Sequence, residues 1–210
     1  MATTAPKDTP LGHLVASAYD YVVSESLGFH IDFDKTLGIQ YEALRQQKRK
    51  IEILEQHRFD SVIDKCDKAI IDMHRPIVKS ETAATAKIVS SIDGIRRPLR
   101  HPLSERTFDY MVQTDTSAQR ENFTGAVSSY NINTYKGRIF VGDFGRPIPF
   151  ELQAHARKPD NVSKIVHSLL TNATRRDKAA AQIVFSAYRN SSKSGQLKNF
   201  LIDEIVDIFS

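Results

Sequence analysis

Seven histidines, one cysteine and 25 carboxylates are the groups in this chain that could do acid–base, nucleophilic or metal chemistry. The histidines stand at positions 13, 30, 57, 74, 101, 155 and 167, and no pair has the His-x-x-x-His spacing that puts two ligands on one helix face. The nearest approach to a ligand set is His30-Ile31-Asp32-Phe33-Asp34. On an extended segment, alternation would bring His30, Asp32 and Asp34 to one side. The same alternation describes a polar, solvent-facing side opposite two buried aromatics, and nothing supplies a second cluster, so no metal is expected. Cys66 falls on the apolar face of a helical pattern, where an inert thiol is the expectation. There is no Gly-x-Ser-x-Gly elbow, no Gly-x-x-x-x-Gly-Lys loop and no dinucleotide fingerprint. Gly142-Asp143-Phe144-Gly145 contains the Asp-Phe-Gly tripeptide of kinases without any of the other kinase parts, and reads as a turn. These absences point away from an enzyme, and no catalytic residue and no cofactor are expected.

Composition sets the outer bounds. The 210 residues are 40% hydrophobic and 26% charged, enough for a packed core in one large or two small domains. No apolar run reaches membrane-spanning length, the first ten residues lack a signal-peptide stretch, and a single cysteine fits a reducing compartment. The cytoplasm is the expected location. The net charge of +4 is uneven: from Gln119 onward 13 lysines and arginines face 8 acids, a surplus of +5, against −1 before it. Such asymmetry can mark an anionic partner.

The elements that must position these groups fall into two kinds. Leu11, Leu14, Val15, Ala18, Tyr19, Val22 and Val23 recur at helical spacing, with Asp8 or Thr9 as cap and Pro10 suited to the first turn. Residues 34–56 read as a long polar helix with a thin stripe of Leu37, Tyr41, Leu44, Ile51 and Leu54. A second helix carries Phe59, Val62, Ile63, Cys66, Ile70 and Met73 and is expected to stop at Pro76. The two could form one bent rod or a hairpin. Residues 78–93 fit a strand or a helix equally well. Gly94 to Pro102 is a proline-punctuated basic segment, and residues 104–113 a short capped helix. Beyond it β-rich runs dominate: 123–132, 135–141, 146–152, 182–189 and 197–208, with one amphipathic helix from Asp160 between the third and fourth. Pro147 and Pro149 suggest that the third strand is an edge.

The expected architecture is therefore α+β: a helical domain at 1–102, ending in the basic linker, and a β-barrel domain at 103–210. Three strands, a helix and two strands is the order of the oligonucleotide/oligosaccharide-binding (OB) barrel, so the second domain is expected to be OB-like. In that barrel the ligand lies on strands two and three and on the loops joining strands one to two and four to five. Here those places hold Tyr130, Tyr135, Lys136, Arg138, Arg146, Arg189 and Lys193, with Phe140 beside them. Aromatic rings can stack on bases and cations can neutralise phosphate. The competing account makes the aromatics core or cross-strand pairs and the cations a solvated face. Arg96, Arg97 and Arg100 form a basic patch in the linker, able to grip phosphate or simply to keep the linker soluble.

Phe108-Asp109-Tyr110, the run Gly125 to Asn133, Gly137-Arg138-Ile139 and Pro149-Phe150-Glu151-Leu152 together resemble a bacterial family of unknown function. The resemblance covers most of the chain, best from Ser104 onward, and implies a helical region followed by a small five-stranded barrel. Its motifs are structural, and no catalytic residue comes with it.

The leading expectation is a non-enzymatic binding protein whose barrel contacts single-stranded DNA or RNA. The helical half would dock a protein partner or a second copy of the chain. The alternative is a scaffold component of a bacterial or phage-related complex with no nucleic-acid role; no membrane is expected in either case. An exposed Leu37/Tyr41/Leu44 stripe would favour the scaffold. A continuous positive groove would favour nucleic acid, and a pocket of convergent carboxylates or histidines would revive an enzyme.

Overall fold

A computed structural model describes residues 9–46, 56–92, 95–174 and 179–206. The chain divides into two compact units, Met1–Val112 and Gln113–Ser210.

The first unit is built on α1 (Pro10–Ser26), whose N-terminus is closed by Thr9 Oγ1 accepting the Gly12 N–H at 3.2 Å. This helix buries two sides. Leu14, Tyr21 and Val22 meet Leu37, Tyr41, Leu44 and Phe59, while Val23 and Leu27 meet Ile70, Ile77 and Leu103. Tyr21, Phe33 and Phe59 pack edge to face at 5.5–5.7 Å, an arrangement that matches ring edges to ring faces. The alternating piece 29–34 is not a strand. It is a loop leading into a π-helical turn, Asp34–Gly38, that continues as α2 (Ile39–Gln46). The remainder of the expected long helix, 47–55, lies outside the described residues.

Helix α3 (Gln56–Met73) departs from its expected face: Phe59 and Ile70 are buried, but Val62 and Met73 are about half exposed. Both sit on one flank of the apolar stripe, and the core lies toward the other flank, where His74 follows. His74 is wholly buried. Its Nδ1 lies 2.8 Å from the Ile70 carbonyl, which can only accept, so Nδ1 carries the hydrogen; Nε2 lies 2.9 Å from the Thr107 hydroxyl, whose one hydrogen it shares as acceptor with the Ser104 carbonyl, also at 2.9 Å. Burial lowers the His74 pKa, the Ile70 bond opposing it. α3 ends at Met73, ahead of Pro76 as expected, and Pro76 does not continue it. The proline sits in the first turn of a separate one-turn helix, α4 (Arg75–Val78), where its missing N–H would have no partner.

Residues 78–93 turn out to hold strands. β1 (Thr85–Ala86) is a short strand, and β2 (Val89–Ile92) pairs with β3 (Ile95–Pro98), setting Ser91 against Arg96 and Ser90 against Arg97. β4 (Leu103–Ser104) pairs with β1 and leads into α5 (Glu105–Val112), capped by Ser104 Oγ accepting from Thr107 N.

The second unit is a closed mixed barrel. After β5 (Asp115–Thr116) come β6 (Glu121–Asn131), β7 (Lys136–Val141) and β8 (Arg146–Leu152). Helix α6 (Pro159–Thr174) follows, then β9 (Gln182–Ser191) and β10 (Leu197–Val206). β6, β7 and β8 form an antiparallel meander, β8 pairs with β10 in parallel, β10 with β9 and β9 with β6 antiparallel, which closes the ring. The third barrel strand is therefore not an edge. Its parallel pairing with β10 runs only from Phe150 to Leu152, so both prolines precede it. Being two residues apart, they remove N–H donors from one side of the strand only.

Alternate residues of every strand point inward, among them Ile139, Val141, Ile148, Phe150, Leu152, Phe185, Phe200 and Ile202, and Ile165 of α6 joins them. The face of α6 is more polar than periodicity suggests: Ser168 is buried while Leu170 is 61% exposed. The reason is a register shift in β6 between Val127 and Ser129. Ser168 Oγ accepts the Val127 N–H at 3.0 Å and donates to the Ala181 carbonyl, and Asn172 Nδ2 donates to the Val127 carbonyl at 3.0 Å. Helix side chains thus satisfy backbone groups at an irregularity in the ladder.

Candidate functional site

The sequence-derived residues separate into three places. At the β6–β7 connection, Tyr130 packs on the barrel core, its ring stacked on Phe150 at 6.2 Å and 10°. Gly137 stands between them on β7, opposite Tyr130 on one side and Phe150 on the other, and its lack of a side chain lets the rings meet across it. Burial raises the Tyr130 pKa, Tyr135 adds to this and Arg157 opposes it. Tyr135 holds a left-handed backbone, φ +56°, and the Arg157 guanidinium lies 5.0 Å from its ring centroid. Arg157 also donates to the Leu152 carbonyl and pairs with Glu151 at 3.1 Å. Lys136, exposed, follows Tyr135 at the head of β7.

Along β7, Gly137, Ile139 and Val141 are buried, which puts Lys136, Arg138 and Phe140 on the outer side. Phe140 is 41% exposed, a large aromatic in mid-strand with Pro147 opposite it on β8 and Ala126 on β6. Arg138 is only 5% exposed. At the other end of the barrel Arg146 donates to the Leu197 carbonyl at 3.1 Å, and the exposed Lys193 lies in the β9–β10 turn. Arg189 is held by Glu121 at 2.7 Å.

Arg96, Arg97 and Arg100 belong to the first unit. Arg96 and Arg97 are exposed on β3, and Arg100 is anchored to α1 through Asp20, which accepts its backbone N–H at 2.8 Å and lies 3.6 Å from its Nε. Asp32 spends its carboxylate on Lys35, at 3.1 Å to the backbone N–H and 3.3 Å to Nζ, and His30 lies 3.7 Å from the buried Glu25. Among the described residues no group of three or more metal-binding side chains comes together, and no helix is long and apolar enough to cross a membrane.

A second arrangement corresponds to no sequence motif. The strand β10 shifts register between Ile202 and Glu204, so that Ile202 and Ile205 point into the core and Asp203 and Glu204 both stand outside. Asp203 Oδ2 accepts from Arg120 Nη1 at 2.7 Å and Oδ1 lies 2.9 Å from His155 Nε2. The bond to Asp203, helped by Glu204 at 3.6 Å, raises the Arg120 pKa. These groups line an open polar cleft of about 450 Å³ together with Lys158 and Lys164. His155 and Asp203 are far apart in sequence, and only the barrel's closure brings them together.

The fold and these surfaces define an α+β chain with a helical unit and a closed five-stranded barrel carrying a polar cleft. Residues 1–111 match the family described as "Domain of unknown function (DUF7946)", and residues 119–205 the one described as "Family of unknown function (DUF7947)". The chain belongs to the first of these families, which spans over half of it, and carries the second as its barrel. No curated protein and no solved structure matches it.

Proposed function

We propose that this is a binding protein whose barrel is of the OB type and holds single-stranded nucleic acid on the outer face of β7. Numbering the barrel strands one to five, the closed order 1-2-3-5-4-1 with a helix after strand three supports the OB assignment. The observation that carries the binding role is Phe140. A 41% exposed phenyl ring on strand two, four residues from the exposed Lys136, offers a base a stacking surface with a positive charge on the same strand, whereas Arg138, 5% exposed, presents little of its charge to a ligand. Tyr130, turned onto Phe150, contributes to the barrel rather than to a ligand. The Leu37/Tyr41/Leu44 stripe is buried in the helical unit's own core and lends the scaffold alternative no support.

Fluorescence anisotropy with labelled single-stranded DNA and RNA across a salt series tests this. Phe140→Ala is expected to weaken binding roughly 5- to 150-fold, the equivalent of about 1–3 kcal/mol for one stacked base, and to leave thermal stability unchanged. Absence of saturable binding at low salt would reject it.

A further inference from the structure

We propose that the cleft beside the β10 bulge is an acid–base site in which His155, oriented by Asp203, cleaves single-stranded RNA by internal transesterification. Asp203, with only 16% of its side chain exposed, is pinned by Arg120 on one oxygen and meets His155 Nε2 at 2.9 Å with the other. A carboxylate only accepts, so Nε2 of the neutral ring bears the hydrogen and Nδ1 keeps its lone pair. No described residue hydrogen-bonds Nδ1. A base held by an orienting carboxylate is two-thirds of a catalytic triad, and the missing third is a nucleophile. Among the described residues no serine, threonine or cysteine lines the cleft, and a substrate that carries its own nucleophile completes the set. RNA brings one: its 2′-hydroxyl stands beside the phosphorus that it attacks, and neither metal nor water is needed.

The charges fit that chemistry. Lys164 is paired with Asp160 at 2.8 Å and Arg120 with Asp203, whereas Lys158 is exposed with no partner among the described residues. Lys158 also follows Arg157, whose guanidinium covers Tyr135, so the β6–β7 connection and the cleft adjoin through one residue. In the step, His155 Nδ1 takes the proton from O2′ as the O2′–P bond forms. The P–O5′ bond breaks, its electron pair leaves on O5′, and O5′ takes a proton from the Lys158 ammonium. The products are a 2′,3′-cyclic phosphate and a 5′-hydroxyl; solvent then carries the proton from imidazolium back to the Lys158 amine. The choice of RNA rests on the barrel's proposed binding role; the His155–Asp203 geometry stands apart from it.

The full chain is incubated with labelled single-stranded RNA in EDTA, and the ends are analysed. Wild type is expected to leave 2′,3′-cyclic phosphate ends and to spare DNA and 2′-O-methyl RNA. His155→Ala, at a 59% exposed side chain that the core does not need, is expected to slow cleavage by about 100-fold or more. Asp203→Asn removes the carboxylate that orients the imidazole, and should lower kcat while leaving KM for the RNA nearly unchanged, a split that a merely structural role would not produce. Intact RNA with wild type, or equal cleavage by His155→Ala, overturns the proposal. Anisotropy with the uncleavable 2′-O-methyl strand separates the two ideas: binding without RNA cleavage sinks the cleft alone, and cleavage without saturable binding sinks the barrel face alone. With neither binding nor cleavage, both fail.

Discussion

Gly137→Ala tests the barrel's construction at one atom. A Cβ at this position would press against the backbone carbonyl oxygen of Ser129 and stand 2.8–2.9 Å from Cζ and Cε1 of the Phe150 ring. Carbon–carbon contacts settle at about 3.5–4.0 Å. The ring could swing aside only by giving up its stack with Tyr130, and the Ser129 oxygen belongs to a strand paired with β7, so neither neighbour yields freely. Overpacking of this kind costs typically 1–3 kcal/mol, and a clash with backbone belongs near the upper end. At roughly 4–8 °C per kcal/mol for a domain of this size, a loss of about 2.5 kcal/mol lowers the barrel's melting temperature by roughly 10–20 °C. Gly142→Ala is the control: nothing lies within 4 Å of its Cβ position, so it should melt with the wild type. Differential scanning calorimetry of the three proteins decides the matter. A Gly137→Ala barrel melting within about 2 °C of wild type, or a Gly142→Ala barrel falling equally far, would refute the packing described for Tyr130, Gly137 and Phe150.

Further outcomes follow from the same contacts. Ser168→Ala strips the Val127 N–H of its acceptor at the β6 irregularity, and should destabilise the barrel by about 1–3 kcal/mol in urea melts. In the helical unit, Thr107→Val removes the hydroxyl that meets both buried His74 Nε2 and the Ser104 carbonyl, and a loss of similar size, about 1–3 kcal/mol, is expected. Burial holds His74 and His101 below the ordinary histidine pKa, for His101 with Asp20 opposing and Arg100 reinforcing. The unfolded chain therefore takes up protons first as pH falls. The stability of the helical unit should be complete above the usual histidine value of about 6.5 and decline as pH drops below it toward the folded-state values, which amide exchange at α1 and α3 can follow. Strand binding to the barrel should weaken linearly on a log–log salt plot, by about 0.7 per phosphate neutralised.

Much of the fold was legible because local rules dictate it. Thr9-Pro10 opens α1 where capping chemistry says it should, Gly145 supplies the left-handed residue that ends the turn after β7, and the five β-rich runs with one helix after the third became the barrel. The prolines of β8 misled because edge or interior is decided by which strand pairs alongside and over which residues. Val62 and Met73 misled because periodicity marks a stripe about 100° wide and says nothing of which flank the core will cover.

The candidate site divides along the same line. Residue types and strand alternation are enough to place Lys136, Arg138 and Phe140 on one strand face. That Tyr130 is spent on Phe150 across Gly137, that Arg189 is tied to Glu121, and that a bulge presents Asp203 to His155 and Arg120 depend on register and barrel closure. Sequence by itself determined the elements and their order, since caps, turns and periodicity act over a few residues. Only the tertiary structure decided the cleft, because its groups lie on segments far apart in the chain and meet through strand pairing that no local spacing encodes.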